Sequence, residues 1–471
     1  MRPCADPSCR FSYTKDMTHL GQLLREPQKV IFDLGNLVND VYTGSFTARL
    51  TAVYYLPSLF SAVQPANEIL PITARRAARN QPSHFRLPSE RAVVTPRFPA
   101  NAIRAVVSIS ASGNADEEFW YANVPSAYTQ TFPDSPLPGY GPFREIQVLV
   151  DGAPAGFVWP FTNIYTGGIV PSLWRPVVAP YTYDLPEYEI DISPFLPLLL
   201  NGSAHTVELA VVTYDPDTNS VRRRLGSDWL VSGRIHVWTD PRPDWETTGS
   251  FISANSAFPR FSYAPVLAAG NTSLSVHLAA SRDIFVSSDI TTSTGTVTQT
   301  WTQALSYSSH TTISNGGNTQ ALNTTTSVLE SAGSFGSRAF QYGPLALHTT
   351  FTPGQKSFGI SAGLQLEHSA MSEGKWTDGI RAREAGLMAT RLRGTASWVS
   401  NSGGRGRTEQ AWAEVRQLRD SCGVANYGRK VVAANDRVVR DYQIINNVLV
   451  GEDDPEAARD LGRLNGSRRS P

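Results

Sequence analysis

Cysteine is scarce in this chain, and its scarcity excludes two kinds of architecture. Cys4, Cys9 and Cys422 are the three cysteines among 471 residues. That number is too small for a disulfide-rich scaffold or for a zinc site built from cysteines. Cys4 and Cys9 are close enough in sequence to form a local bridge, which would leave Cys422 unpaired. Three free thiols are an equally good interpretation.

Long apolar runs and an excess charge of one sign are also missing. No run of eighteen apolar residues occurs, so we expect no helical membrane span. Lys plus Arg and Asp plus Glu number 41 each, so no overall field recruits nucleic acid. Residues 1–10 lack the apolar stretch of a signal peptide. Secreted proteins often carry N-x-S/T sequons, although such short motifs also arise by chance; they occur here at Asn201, Asn271, Asn323 and Asn465.

Several familiar catalytic motifs are absent as well. The eight histidines are scattered singly and no H-E-x-x-H motif occurs, so we expect no metal site. No G-x-S-x-G elbow and no P-loop is found, which argues against a hydrolase of the serine-elbow type and against a nucleotide-binding enzyme.

What the chain does contain is alternation between apolar and polar residues, interrupted by 36 glycines and 32 prolines. Alternation with a period of two predicts half-buried strands. It is clearest in five segments: 46–56, 103–109, 146–150, 188–192 and 229–237. We therefore predict an all-β protein made of β-sandwich, jelly-roll-like domains.

The length favours two domains, since one hydrophobic core rarely grows to this size. We predict an irregular segment at 1–27, a β-sandwich domain at 28–239 and a β-rich domain at 245–450, joined by the proline-containing linker 240–244. Within the second domain, residues 367–420 are rich in Arg, Glu and Ala, and we expect a short helical insertion there. The charged tail 451–471 is expected to be disordered.

Acidic and aromatic residues meet directly after the strand predicted at 103–109. Asp116, Glu117 and Glu118 precede Phe119-Trp120-Tyr121. A carboxyl group packed among aromatic rings loses hydration, which raises its pKa and suits it to acid–base chemistry. The plainer interpretation is a solvated acidic turn whose aromatic residues enter the core.

Other candidates follow in the next stretch. Glu145, next to Arg144, is a candidate second carboxylate, because hydrolysis needs one group for water and one for the leaving group. Trp120 and Trp174 could stack on sugar rings, although aromatic residues at β spacing are more often core.

Longer motifs carry a specific resemblance. They are DEEFWYAN (116–123), GPFREIQVLVDGAPAGFVWPF (141–161), TGGIVPSLWRP (166–176), LPEYEIDISPFLP (185–197) and SDWLVSGRIHVW (227–238). In this order they resemble the peptide N-glycosidase A family of plant and fungal glycoamidases, with similarity over residues 30–366, and we expect the fungal type.

The resemblance implies hydrolysis of the amide between N-acetylglucosamine and asparagine in N-glycopeptides or glycoproteins. It also implies β-sandwich domains, a location in the secretory pathway or outside the cell, and activity at acidic pH without metal or cofactor. Glu118 corresponds best to the family's catalytic acidic residue, and would activate water or assist the glycosylamine leaving group. Glu145 would be the second carboxylate.

The resemblance also suggests substrate-binding residues. Arg144 would orient Glu145 or bind the amide oxygen, and the indole N–H of Trp174 or a backbone N–H at Gly167-Gly168 would stabilise the oxyanion. The remaining candidates for substrate contact are Asp116, Glu117, Trp120 and Asp151. The alternative function is a glycan-binding β-sandwich without catalysis, which could keep these side chains for hydrogen bonds to sugar hydroxyls.

Overall fold

Three antiparallel sheets stack face to face in the computed structural model, which describes residues 12–35, 38–40, 43–45, 47–54, 65–333, 336–373, 386–417 and 424–451. The first and second sheets come from the N-terminal half of the chain, and the large sheet comes from the C-terminal half.

The first sheet has the strand order β1-β10-β4-β7, with β2 also paired to β10. Its strands are β1 (Glu68–Ile72), β2 (Phe85–Leu87), β4 (Ala102–Gly113), β7 (Tyr188–Asp191) and β10 (Trp229–Thr239). The second sheet has the order β3-β8-β5-β6, with β9 also paired to β8. Its strands are β3 (Ala92–Val94), β5 (Glu145–Val150), β6 (Ala153–Val158), β8 (Val207–Asp215) and β9 (Ser220–Arg222).

The large sheet is a meander in which β13 to β22 pair in chain order, while β11 and β12 pair with the two halves of β13. Its strands are β11 (Thr248–Ser256), β12 (Arg260–Leu267), β13 (Ser273–Thr292), β14 (Gly295–Ser314), β15 (Thr319–Ala332), β16 (Ser337–Thr352), β17 (Gly359–Glu373), β18 (Gly386–Val399), β19 (Gly403–Gln417), β20 (Val424–Ala434), β21 (Arg437–Ile445) and β22 (Val448–Gly451).

Helical structure is minor in the described residues. The single α-helix there, α1 (Leu196–Leu199), has four residues. Short 3₁₀ turns supply the rest; they lie at Thr18–Leu20, Ala77–Arg79, Ala115–Glu117, Trp120–Ala122, Ser126–Tyr128, Pro171–Leu173, Ser193–Phe195, Ala269–Asn271 and Asn315–Gly317. The all-β prediction is therefore confirmed.

Close packing fixes the spacing between the first two sheets. Gly156 in β6 faces Ile190 in β7, and a Cβ at Gly156 would lie 2.3 Å from the Ile190 side chain. A larger residue would push the sheets apart, because cores are packed at crystal density. The two sheets thus form a sandwich whose inner residues belong to one hydrophobic core.

The second sheet also packs against the large sheet. The backbone N–H and C=O of Phe157 bond the side-chain amide of Gln303 at 2.8 Å each. Arg282 of β13 lies over the Phe157 ring, 3.3 Å from its centroid, and donates to the buried Glu145. The same hydrophobic core continues through this interface. The domain boundary predicted at 240–244 coincides with the passage from β10 to β11, but the division into domains stays a prediction.

The other face of the first sheet is polar, and His19 of the 3₁₀ turn Thr18–Leu20 lies against it. His19, 6% exposed, reaches within 4.0 Å of the Glu187 carboxylate. Glu187 also accepts hydrogen bonds from Ser108 and Arg234. Arg234 in turn donates to His236, which is 1% exposed. Two histidines are therefore buried in a layer that contains both charge signs.

The helical segment predicted at 367–420 is wrong for the described residues, which belong to β17, β18 and β19. Ala389, Ala411 and Ala413 are buried together on neighbouring strands. Helix propensity is a weak preference, and pairing of these strands with their neighbours overrides it.

The strand predicted at 46–56 is also not found. Residues 47–54 have no regular structure and are exposed, with Leu50 69% and Tyr54 72% accessible. Alternation shows which residues could share a face, but a strand also needs a partner for its backbone groups.

Several predictions fall outside the described residues. They concern Phe46, Leu56, the three cysteines, Asn465 and the tail beyond residue 451. Among the described residues, no helix is long and apolar enough to cross a membrane.

The buried His236 predicts a loss of stability in acid. Burial first, and then the charge of Arg234, lower its pKa from 6.5 to about 3. Below pH 6.5 the His236 side chain therefore binds a proton in the unfolded chain but not in the folded chain. The free energy of unfolding should fall toward pH 3 by up to about 1.4 kcal/mol per pH unit from this residue.

His236→Gln should flatten the dependence of the unfolding free energy on pH between 6.5 and 3, measured by urea denaturation. His277→Gln, at an exposed position on β13, is the matched control. Equal pH slopes in the two variants would contradict the assignment.

Candidate active site

The site is built on a sharp turn at the end of β4. The strand ends at Gly113, where a Cβ would lie 2.3 Å from the carbonyl oxygen of Glu117. Only glycine allows the chain to fold back so closely. The 3₁₀ turn Ala115–Glu117 follows, and it places three consecutive acidic residues in three different environments.

Glu117 is the buried member of the three. It is 0% exposed, and Arg144 donates hydrogen bonds to its carboxylate from Nε at 2.6 Å and from Nη2 at 2.7 Å. The indole N–H of Trp229 donates at 2.7 Å and the backbone N–H of Gly226 at 2.8 Å. Burial by itself raises the pKa of Glu117, but the bonds from Arg144 outweigh it and hold the pKa below its usual value. Glu117 is therefore a fixed anion.

All three guanidinium nitrogens of Arg144 donate hydrogen bonds in this arrangement. Its remaining Nη1 donates to the backbone carbonyls of Tyr140, Gly141 and Phe143, at 3.2, 2.8 and 2.7 Å. Each of its three nitrogens thus has at least one acceptor, and charge-assisted bonds of this kind offset the cost of burying a guanidinium. It cannot also bind a substrate amide oxygen or orient Glu145, which were its predicted roles.

Glu118 has the opposite character. It is partly exposed, and no hydrogen bond or ion pair of its carboxyl is found within the described part of the chain. Burial raises its pKa above the usual value, so this carboxyl keeps its proton to a higher pH than a free glutamate does. These are the properties expected of a general acid. Asp116, on the other side of Glu117, is exposed.

Tyr121 lies beside Glu118 and was not predicted to have a role. Its ring is 1% exposed, and its hydroxyl has no hydrogen-bond partner within the described residues. Burial first, and then the negative charge of Glu118, raise the pKa of Tyr121. The phenol therefore stays protonated. Its position in the segment DEEFWYAN, three residues after Glu118, is the signal that sequence reasoning could have used.

The loop from Tyr165 to Trp174 forms a wall beside this turn. The Tyr165 hydroxyl lies 2.6 Å from the Ser112 hydroxyl at the end of β4. Phe119 packs on Gly168, where a Cβ would lie 3.2 Å from the phenyl ring. Trp174 is 0% exposed and donates its indole N–H to the Gly168 carbonyl at 2.7 Å.

Two of the donors suggested for the oxyanion are therefore already bonded. The indole N–H of Trp174 and the backbone N–H of Gly168, which bonds the Tyr165 carbonyl at 2.9 Å, are both used inside the wall. Trp120 is 5% exposed and packs against Trp229 with ring centroids 6.4 Å apart. Trp120 and Trp174 are core residues here, so neither presents a ring face for a sugar.

Glu145 lies on the other side of β5 from Arg144, because successive side chains of a strand point to opposite faces. Its carboxylate is 0% exposed and accepts bonds from Arg282 at 2.5 Å, Gln147 at 2.7 Å and Trp159 at 2.9 Å. The bond from Arg282 of β13 joins the second sheet to the large sheet, while those from Gln147 in β5 and from Trp159 after β6 lie within the second sheet's own segment. The catalytic role predicted for Glu145 stays untested, and this enclosed position argues against it.

Asp151 is separated from the site by the length of β5. It occupies the turn after that strand, roughly 20 Å from Glu145 at about 3.3 Å per residue. Its carboxylate bonds His205 at 2.5 Å and the Thr206 backbone at 2.7 Å. The structure thus brings Asp116, Glu117, Glu118 and Arg144 together and leaves Asp151 outside. Among the described residues, no group of three or more His, Cys, Asp or Glu could hold a metal ion.

The Glu117–Arg144 pair predicts a large effect on stability. Glu117→Gln removes the anion and leaves a buried guanidinium without a counter-charge. We expect the free energy of unfolding to fall by about 3–5 kcal/mol, measured by chemical denaturation.

Arg260→Gln is the control, because it breaks the exposed pair between Arg260 and Asp283. Exposed pairs contribute about 0–1 kcal/mol. If both variants lose the same free energy, the buried pair does not have the structural role described here.

Comparison with known proteins identifies the family to which this segment belongs. The family model described as peptide N-acetyl-β-D-glucosaminyl asparaginase amidase A matches residues 2–256. A second model, for the C-terminal domain of the same family, matches residues 275–343. No solved structure matches the chain.

A relative from Prunus dulcis, named peptide-N4-(N-acetyl-β-glucosaminyl)asparagine amidase A, is 35% identical over 264 residues. The matched part is 53% of this chain and 44% of the relative, so the chain spans less than half the length of that protein. The relative is from a plant, and the fungal type stays a prediction. The first family model matches more than half of the chain, including Glu117, Arg144 and their partners Gly226 and Trp229. The chain therefore belongs to the peptide N-acetyl-β-D-glucosaminyl asparaginase amidase A family.

Proposed function

We propose that the protein is a glycoamidase that hydrolyses the amide between N-acetylglucosamine and asparagine in N-glycopeptides or glycoproteins. One observation carries the proposal beyond family membership. Glu118, inside the matched segment, has an accessible carboxyl with a raised pKa. It lies on a turn that the buried Glu117–Arg144 ion pair holds in place.

The reaction needs a proton at the nitrogen that leaves. Water adds to the amide carbon, the carbon–nitrogen bond breaks, and the nitrogen leaves with the sugar as a glycosylamine while the peptide keeps an aspartate. An unprotonated amide nitrogen is a poor leaving group. Protonated Glu118 would donate to this nitrogen, and its raised pKa keeps it protonated under mildly acidic conditions.

The neighbours of Glu118 support this role. The Glu117–Arg144 pair fixes the turn that carries Glu118, and burial raises the pKa of the Glu118 carboxyl. The buried Tyr121 ring lies close enough to Glu118 for the carboxylate charge to raise the phenol pKa, and the Phe119–Gly168 contact shields one side of the turn from water. Asp116 is the second accessible carboxyl on the turn, and it would activate water in place of the enclosed Glu145.

The proposal predicts loss of cleavage in Glu118→Gln. This variant keeps the shape of the side chain but cannot exchange the proton. The rate on an N-glycopeptide should fall about 10²–10⁴-fold, measured by mass spectrometry as the one-dalton change from asparagine to aspartate. In the unaltered protein, kcat/KM should fall as pH rises through the raised pKa of Glu118, because only the protonated carboxyl can donate.

Glu246→Gln is the matched control, since Glu246 is an exposed glutamate away from the turn. Full cleavage by Glu118→Gln would eliminate Glu118 as the proton donor. Glycan binding without cleavage by the unaltered protein would favour the alternative of a glycan-binding β-sandwich.

We also infer that the protein acts in the secretory pathway or outside the cell, where N-glycoproteins occur. Three sequon asparagines, Asn201, Asn271 and Asn323, are exposed on the surface, as glycosylation requires. Peptide mass spectrometry of the protein from its natural source should find sugar on at least one of them. Unmodified asparagine at all three would contradict the location.

A further inference from the structure

A pocket on the large sheet lies far along the chain from the turn that carries Glu118. It measures about 240 Å³, and five residues line it: Gln410, Trp412, Tyr427, Arg429 and Val431. Gln410 and Trp412 belong to β19, and the other three belong to β20. The pairing of Gln410 with Val431 and of Trp412 with Arg429 places them on one face of the sheet. The pocket lies beyond residues 275–343, which the second family model matches.

The Trp412 ring is held in place by contact with Tyr181. Its ring lies 6.4 Å from that of Tyr181, at an angle of 66°. The Tyr181 hydroxyl is itself fixed, 2.7 Å from Nδ1 of His368 and 3.3 Å from Sδ of Met388. Trp412 is only partly buried, so the rest of its surface lines the pocket. An aromatic ring fixed in this way offers a rigid apolar surface at little entropic cost.

The polar side of the pocket is also organised before any ligand binds. Arg429 donates to both carboxylate oxygens of Asp441, from Nε at 2.9 Å and from Nη2 at 2.6 Å. Asp441 therefore balances the guanidinium charge, and the pocket does not select an anion. Gln410 adds an amide that can both donate and accept.

This chemistry matches a neutral pyranose ring. One face of a pyranose presents C–H groups that stack on an aromatic ring, while its edge presents hydroxyls that need donors and acceptors. The pocket is smaller than the roughly 300–1,000 Å³ typical of sites for drug-sized ligands, which suits one sugar ring. Trp412 and Tyr427 would supply the stacking surface, and Gln410 with the Arg429–Asp441 pair would bind the hydroxyls.

We propose that the pocket between Trp412 and Tyr427 is a saccharide-binding subsite that holds a pyranose ring of the N-glycan, remote from the amide that is cleaved. The identity of the sugar as part of an N-glycan rests on the proposed function. A remote contact of this kind binds the substrate and the transition state equally, so it lowers KM without raising kcat.

Binding is tested first with a free oligomannose N-glycan, by isothermal titration calorimetry on the full chain carrying Glu118→Gln. In this background, Trp412→Ala should weaken glycan affinity roughly fivefold to tenfold. Trp412→Phe should recover part of the loss, and Gln410→Ala, which does not disturb an aromatic contact, should also weaken binding. Tyr342→Ala is the control, since Tyr342 is an aromatic residue of the same sheet that is 39% exposed and outside the pocket.

Kinetics on the protein with Glu118 intact give the second readout. For a glycopeptide with a full oligomannose glycan, Trp412→Ala should raise KM and leave kcat unchanged. For a glycopeptide carrying a single N-acetylglucosamine, neither constant should change. A merely structural role for Trp412 would alter both substrates alike, and that result would overturn the proposal.

The two proposals can fail separately. Weaker glycan binding in Trp412→Ala without any cleavage by the unaltered protein would support the subsite and contradict the glycoamidase. Affinities of Trp412→Ala and Gln410→Ala within twofold of Tyr342→Ala would reject the subsite, whatever the cleavage assay shows.

Discussion

The buried ion pair between Glu117 and Arg144 is the interaction on which the candidate site depends. Burying two charges is costly, and it is tolerated here because each carboxylate oxygen and each guanidinium nitrogen of the pair is hydrogen-bonded. The carboxylate ties the turn after β4 to Trp229 in β10, and the guanidinium ties it to the carbonyls before β5. The position of Glu118 follows from this network, since its own carboxyl makes no comparable bond to any residue that the structure describes.

Strand β5 couples this network to the rest of the molecule. Arg144 immediately precedes it and Glu145 is its first residue, and the two side chains point to opposite sides. Arg144 closes the ion pair under the site, while Glu145 pairs with Arg282 of the large sheet. Two consecutive residues of opposite charge thus join β5 to two different neighbours, the turn after β4 and the large sheet. Glu145 is better explained as part of this interface than as a reactive group.

Composition and spacing identified the acidic segment but could not distinguish its members, and only the family resemblance pointed to Glu118. Glu117 and Glu118 are identical in chemistry and adjacent in the chain, yet one is a fixed, buried anion and the other an accessible carboxyl with a raised pKa. The difference arises from Arg144, Gly226 and Trp229, which lie between 27 and 112 residues away along the chain. A local pattern has no information about partners at such separations.

The sequence by itself determined the β character, the strands at 103–109, 146–150, 188–192 and 229–237, and the family through its long ordered motifs, because alternation and turn residues act locally. The turn between β20 and β21 is equally local, since Asn435 and Asp436 both adopt the positive φ that such a turn requires. Only the tertiary structure decided that 386–417 pairs as strands despite a composition suited to a helix, and that 47–54 forms no regular strand. It also decided which carboxylates are enclosed by arginine. Strand pairing and charge burial both depend on groups that are distant in sequence, so neither can be read from a short stretch of residues.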